Sequence, residues 1–222
     1  MENASKALLI AGGILITLMI LSAGVLVYNG IARAQIEQEN SKITAQFSKI
    51  NEQVETFTSS SRIYGSELLS LCNLLVDYSK KYPQSEGYPI INMEIDFKSG
   101  VDANWGDMKN VLEYQTVYSN YSKLEENVGL EAKKTYQYNS TIIGTYEFIA
   151  NLRDDDLIWY LKKAGIVDGK IDAELEKIHK LISTYEIQKK WITTFKNKKF
   201  RLTEIKYNQY NNIVESIKYE II

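Results

Sequence analysis

The chain has 222 residues, with 26 basic and 28 acidic side chains, one histidine and a formal net charge of −2. With one segment set aside for lipid, that length leaves room for one compact domain, and the chain carries no polybasic block that would suggest nucleic acid and no acidic tail. The single cysteine, Cys72, excludes an internal disulfide, and only two prolines and twelve glycines argue against a long disordered linker.

No charged residue lies between Lys6 and Arg33, and the apolar run Ala7 to Tyr28 is long. As a helix it would span roughly 33 Å, enough for a hydrocarbon core of about 30 Å. A lone segment in lipid must satisfy its own backbone, so a membrane helix is expected. Ala32-Arg33-Ala34 has the small-x-small form of a signal-cleavage site. The run is longer than a signal core and Lys6 is the only basic side chain before it, so the segment is expected to stay uncleaved. Gly13, Thr17 and Gly24 share one side of this helix and form a candidate helix-packing stripe. The alternative is ordinary membrane-helix composition. The positive-inside count barely discriminates the two orientations, with Lys6 and the α-amino group on one flank and Arg33, Lys42 and Lys49 on the other.

Beyond the anchor, Ile36, Ile43, Phe47, Ile50, Val54 and Phe57 recur at helical spacing, which continues the helix to about Thr58. Thr58-Ser59-Ser60-Ser61 loosens it, because these side chains compete for backbone hydrogen bonds. Ser66 or Gly65 starts a second helix, Glu67 to Lys80, with Leu68, Leu71, Cys72, Leu75 and Val76 on its apolar face and Pro83 as its stop. Cys72 is expected buried and inert. Ile91, Met93, Ile95 and Phe97 then alternate with polar residues, a half-buried strand ended by Ser99-Gly100. Val111, Tyr114, Tyr118, Tyr121, Leu124 and Val128 restore helical spacing, predicting a helix from Asp107 to Val128. Residues Lys134 to Ile149 around Asn139-Ser140 read as a hairpin. Asp154 or Asp155 is expected to cap a short helix, Leu157 to Ala164, ended by Gly165. Asp168-Gly169 reads as a tight turn and Asp172 as the cap of a longer helix carrying Leu175, Ile178, Leu181, Ile182 and Tyr185. Two β-rich runs around Asn208-Gln209-Tyr210-Asn211-Asn212 close the chain as a hairpin. The sixteen tyrosines are expected mainly in sheet and core.

His179 is the only histidine, so two-histidine metal sites are absent, and it falls on the charged side of its helix, where a solvated ring is expected. No glycine-rich phosphate loop and no carboxylate pair in an apolar setting is present. No catalytic, metal or cofactor-binding residue is therefore assigned. Asp154-Asp155-Asp156 could suggest a metal, but capping explains it better. Lys189-Lys190-Trp191 and Lys196-Asn197-Lys198-Lys199-Phe200 could meet acidic polymers or lipid headgroups, though a solvated surface is the simpler reading.

The fold class is α+β: a transmembrane helix extended by a long amphipathic helix, then a small antiparallel sheet with additional helices. The expected divisions are an anchor (residues 1–32), a helical stalk (33–82) and a globular head (83–222). This order resembles the type IV pilins and pseudopilins. The segment Met1-Glu2-Asn3-Ala4-Ser5-Lys6-Ala7-Leu8-Leu9-Ile10-Ala11-Gly12 is similar to the N-termini of small single-pass proteins of Gram-positive bacteria. The resemblance implies a non-enzymatic surface protein with its head outside the cell, partnered by the lipid bilayer and by further copies of itself or another membrane protein. A membrane-tethered ligand-binding or regulatory module is the alternative. An anchored enzyme is a third reading, without acid, base or nucleophile candidates to support it.

Overall fold

The structure is a computed structural model that describes residues 2–98, 108, 110–209 and 212–222. Ser99-Gly100, Asp107 and Tyr210-Asn211, which figure in the expected strand end, helix start and hairpin turn, lie outside the described residues. The chain forms two compact units, Met1–Asn51 and Glu52–Ile222.

Helix α1 (Glu2–Thr58) is continuous, as a stretch free of proline permits. It stops where the hydroxyls of Thr56, Thr58 and Ser59 donate to the carbonyls of Gln53, Val54 and Thr56. The polar run competes for the backbone there, as its composition predicts.

In the second unit, β1 (Arg62–Tyr64) leads directly into α2 (Gly65–Lys81), and a 3-10 turn (Gln84–Glu86) precedes β2 (Asn92–Asp96). Next come β3 (Val111–Glu113), α3 (Tyr114–Ala132) and a hairpin of β4 (Thr135–Tyr138) and β5 (Thr141–Thr145). Three helices follow, α4 (Tyr146–Ala150), α5 (Asp154–Lys163) and α6 (Asp168–Asn197), before the closing hairpin of β6 (Lys199–Tyr207) and β7 (Val214–Ile221).

The α+β class holds, with strands ordered β1-β6-β7-β2-β3 in one sheet and β4-β5 in another. The expected antiparallel character does not hold throughout, because β2 runs parallel to β7. Side-chain parity explains why this is tolerated. Met93 lies opposite Ile217 and Ile95 opposite Tyr219, all four buried, while Glu94 and Lys218 pair on the other face at 3.0 Å. Matching faces depends on register and not on strand direction. A bulge at Thr203 in β6 shifts the parity, so that Leu202 and Ile205 oppose the buried Tyr219 and Ile217 although three residues apart.

The core face of the sheet is covered by α2, α3 and the end of α6. Leu68, Leu71, Cys72 and Leu75 are fully buried from α2, as expected. Phe195 from α6 meets Tyr121, Phe97 and Phe200 at centroid distances of 5.4, 6.3 and 5.7 Å. The approach is close at Gly65, the first residue of α2. Its N–H donates to the Lys198 carbonyl at 2.8 Å, and a Cβ there would lie 2.0 Å from the Phe195 carbonyl oxygen. Buried tyrosines occur on helices (Tyr78, Tyr114, Tyr121, Tyr185) as well as strands (Tyr136, Tyr219), in keeping with the expectation of sheet and core positions.

Several local expectations are corrected. Residues Val111–Glu113 are a strand paired with β2, and the helix expected from Asp107 begins only at Tyr114 and runs on to Ala132. Val111 sits three residues before Tyr114 and so mimics a helical step, but its backbone finds partners on β2. The expected Asp154 or Asp155 cap is not made. Arg153 is the N-cap in extended conformation, and the three aspartates occupy the first turn of α5, where they complement the helix dipole by charge. Likewise α6 begins at Asp168 with Val167 as N-cap, so Asp168-Gly169 is not a separate turn and Asp172 is not a cap. The reversal has already been completed by Gly165, at φ +91°, with the Ile166 N–H bonded to the Leu161 carbonyl. The Asn139-Ser140 hairpin forms as expected, both residues taking positive φ in a two-residue loop, but the segment ends as helix α4.

Candidate functional site: the apolar N-terminal helix

Among the described residues α1 is the helix long and apolar enough to cross a membrane. Fifteen large apolar side chains between Leu8 and Ile31 are 55–79% exposed, and they occupy every side of the helix. At about 1.5–3 kcal/mol each, leaving them in water would cost on the order of 20–40 kcal/mol, more than the roughly 5–15 kcal/mol that holds a typical domain together. A helix apolar all round needs an apolar medium or a partner that covers it.

Gly13, Thr17 and Gly24 fall within an arc of about 40°, so the structure brings the three predicted stripe residues onto one face. Apart from the helix's own backbone, nothing lies within 4 Å of a Cβ built at Gly13 or Gly24, as is also true of Gly12 and Gly30. The Thr17 hydroxyl donates to the Gly13 carbonyl at 2.8 Å. Its hydrogen-bonding capacity is thereby turned inward, and the stripe offers shape more than polar contacts.

The head presents two surfaces of a different kind. On the outer face of the sheet, Glu220 accepts from Arg201 and pairs with Lys98 at 3.1 Å, while Lys206 pairs with Glu204 at 2.9 Å. The bond from Arg201, then that from Lys98, holds the Glu220 carboxyl below the usual carboxylate range. A shallow hollow of about 110 Å³ opens there between Glu94, Thr203, Lys218 and Glu220. Cross-strand pairing neutralises this surface within itself.

The second surface was not anticipated from the sequence. Trp159, 56% exposed, stands edge-on to Tyr160 at 4.9 Å, and Tyr160 edge-on to Phe148 at 5.5 Å. Lys163 lies 4.9 Å from the Trp159 ring. Phe148 fits because Gly144 has no side chain, a Cβ there falling 2.4 Å from the Phe148 ring. Trp159 and Lys163, one helical turn apart, are the part of this group that sequence spacing could have indicated.

Other sequence candidates find local roles. Among the described residues no group of three or more His, Cys, Asp or Glu is placed to hold a metal ion. His179 is about half exposed and sits 3.1 Å from Asp154, while Asp156 pairs with Arg153. Burial pushes the Cys72 thiol far up, which keeps it protonated and unreactive. The basic stretch is dispersed: Lys196 pairs with Glu125 at 3.1 Å, Lys189 and Lys199 lie over Tyr185 and Tyr64, and Phe200 is buried.

No protein-family model, curated protein or solved structure matches this chain.

Proposed function

We propose that this is a membrane-anchored, non-enzymatic surface protein of pilin-like architecture. Residues Ala7 to Tyr28 cross the bilayer, the head faces the cell exterior, and copies pack laterally through α1. The observation that carries the anchor is the exposed apolar surface between Leu8 and Ile31, which lipid would cover. The order of a long N-terminal helix, then a sheet completed by a C-terminal hairpin, supports the pilin-like part. The uncovered stripe at Gly13, Thr17 and Gly24 supports lateral packing.

Membranes washed with alkaline carbonate should retain the protein with its N-terminal segment intact, and protease added to whole cells should digest the chain beyond Arg33. A mature chain beginning at Gln35 and released into the medium would refute the anchor. Protection of the head until lysis would refute the outward orientation.

The exposed rings of Phe148 and Trp159, joined through the partly buried Tyr160, favour one second reading, a tethered ligand-binding or regulatory module acting through a membrane partner. Cross-linking in native membranes separates the two. Ladders of the chain itself support assembly, and a discrete adduct with another protein supports the module.

A further inference from the structure

The second unit holds a hydrophobic core distinct from the one beneath the sheet. Tyr136, Ile143, Ile149, Leu157, Leu161, Ile166, Ile171, Ile178 and Ile182 form one buried cluster, drawn from β4, β5, α4, α5, the α5–α6 connection and the first half of α6. The partly buried side chains against it, from Tyr138 to Leu175, come from the same stretch. Every member therefore lies between Tyr136 and Ile182. The sheet core is assembled differently, since β1 pairs with β6 and β2 with β7 across most of the chain.

Polar contacts around the first cluster are also local. The Tyr136 hydroxyl donates to Glu174, Lys177 pairs with Glu174 at 3.0 Å, His179 meets Asp154, and Lys162 pairs with Asp168 at 2.8 Å.

Helix α6 serves both cores with two different faces. Ile171, Ile178 and Ile182 lie within an arc of about 40°, whereas Phe195, which packs on Phe97 and Phe200, is turned about 120° from Ile171. A core closed by short loops can form or open without moving the distant strand pairs, because its loop-closure entropy is set by its own segment.

From these observations we infer that residues 134–182 are a separate cooperative unit, which opens and recloses while the sheet core and the second half of α6 remain folded. Such an element has two states of different exposed surface, and it supplies the head with a conformational switch that a bound partner could bias. The inference does not depend on the membrane assignment or on the surface role proposed above.

The test is native-state hydrogen exchange on the full chain in detergent micelles, across a gradient of low urea. In the parent, amides of residues 135–182 should share one opening rate, faster than that of β6, β7 and α2. Leu161→Ala removes a fully buried side chain from the local cluster. It should speed exchange within residues 135–182 by about tenfold or more and leave β6 and β7 unchanged. Ile178→Val, a milder change in the same cluster, should do the same to a smaller degree. If either variant speeds exchange equally in the sheet, or the parent opens everywhere at one rate, the head is one cooperative unit and the inference is wrong.

Discussion

Adding one methyl group should have opposite effects at two glycines of this protein. Gly65 opens α2 against the end of α6, and a Cβ there would sit 2.0 Å from the Phe195 carbonyl oxygen and 2.9 Å from its carbonyl carbon. Ordinary contact requires about 3.5 Å, so backbone must move, and no side-chain rotation relieves the overlap. The nearest movable link is the hydrogen bond from the Gly65 N–H to the Lys198 carbonyl, which joins the start of α2 to the start of β6. Overpacking costs about 1–3 kcal/mol, and weakening a buried backbone bond about 1–3 kcal/mol more. Alanine's lower backbone entropy returns only about 0.5–1 kcal/mol. Gly65→Ala should therefore destabilise the second unit by roughly 1–5 kcal/mol. Gly129 lies inside α3 with nothing within 4 Å of its Cβ position. There the entropic gain stands alone, and Gly129→Ala should stabilise by about 0.5–1 kcal/mol. Urea denaturation of the full chain in micelles, followed by tryptophan fluorescence, measures both. A Gly65→Ala variant as stable as the parent would refute the close-approach reasoning.

Burial raises the phenols of Tyr78 (to about 12), Tyr114, Tyr121 and Tyr219, as well as the Cys72 thiol. The folded chain keeps these protons when the unfolded chain, at ordinary values of 10.0 and 9.0, would lose them. Stability should thus be full below about pH 9 and fall as pH rises beyond it, and urea midpoints that stay level from pH 8 to 11 would contradict this. Cys72, fully buried, should resist iodoacetamide in the folded chain and react at the rate of a free thiol once unfolded. Gly13→Ile should weaken helix association in a membrane reporter by on the order of 1 kcal/mol, with Leu15→Ile, off the stripe, nearly silent. Equal association of Gly13→Ile and the parent would reduce the stripe to ordinary membrane-helix composition.

Sequence alone determined the features whose cause is local. The apolar run from Ala7 to Tyr28, the α2 face carrying Leu68, Leu71, Cys72 and Leu75, the alternation of Ile91, Met93, Ile95 and Phe97, and the closing β6–β7 hairpin are each set by hydrophobic period and turn residues within a few positions. That Gly13, Thr17 and Gly24 share one face was readable for the same reason, since it follows from their spacing on a single helix. Tertiary structure decided whatever depends on a distant backbone. Val111–Glu113 became a strand because β2 offered an open edge, and β1 exists only as the short partner of β6. The parallel β2–β7 pairing joins segments more than a hundred residues apart, and no local pattern encodes strand direction. At the starts of α5 and α6 the sequence is ambiguous because aspartate favours both the cap and the first turn of a helix, and backbone geometry at Arg153 and Val167 chose between them. The aromatic group of Phe148, Tyr160 and Trp159 brings a residue beside the β4–β5 hairpin against α5. The same distinction separates the halves of α6. Its apolar period is regular to Tyr185 and then breaks, because Phe195 faces a core that the chain completes only with its last strands.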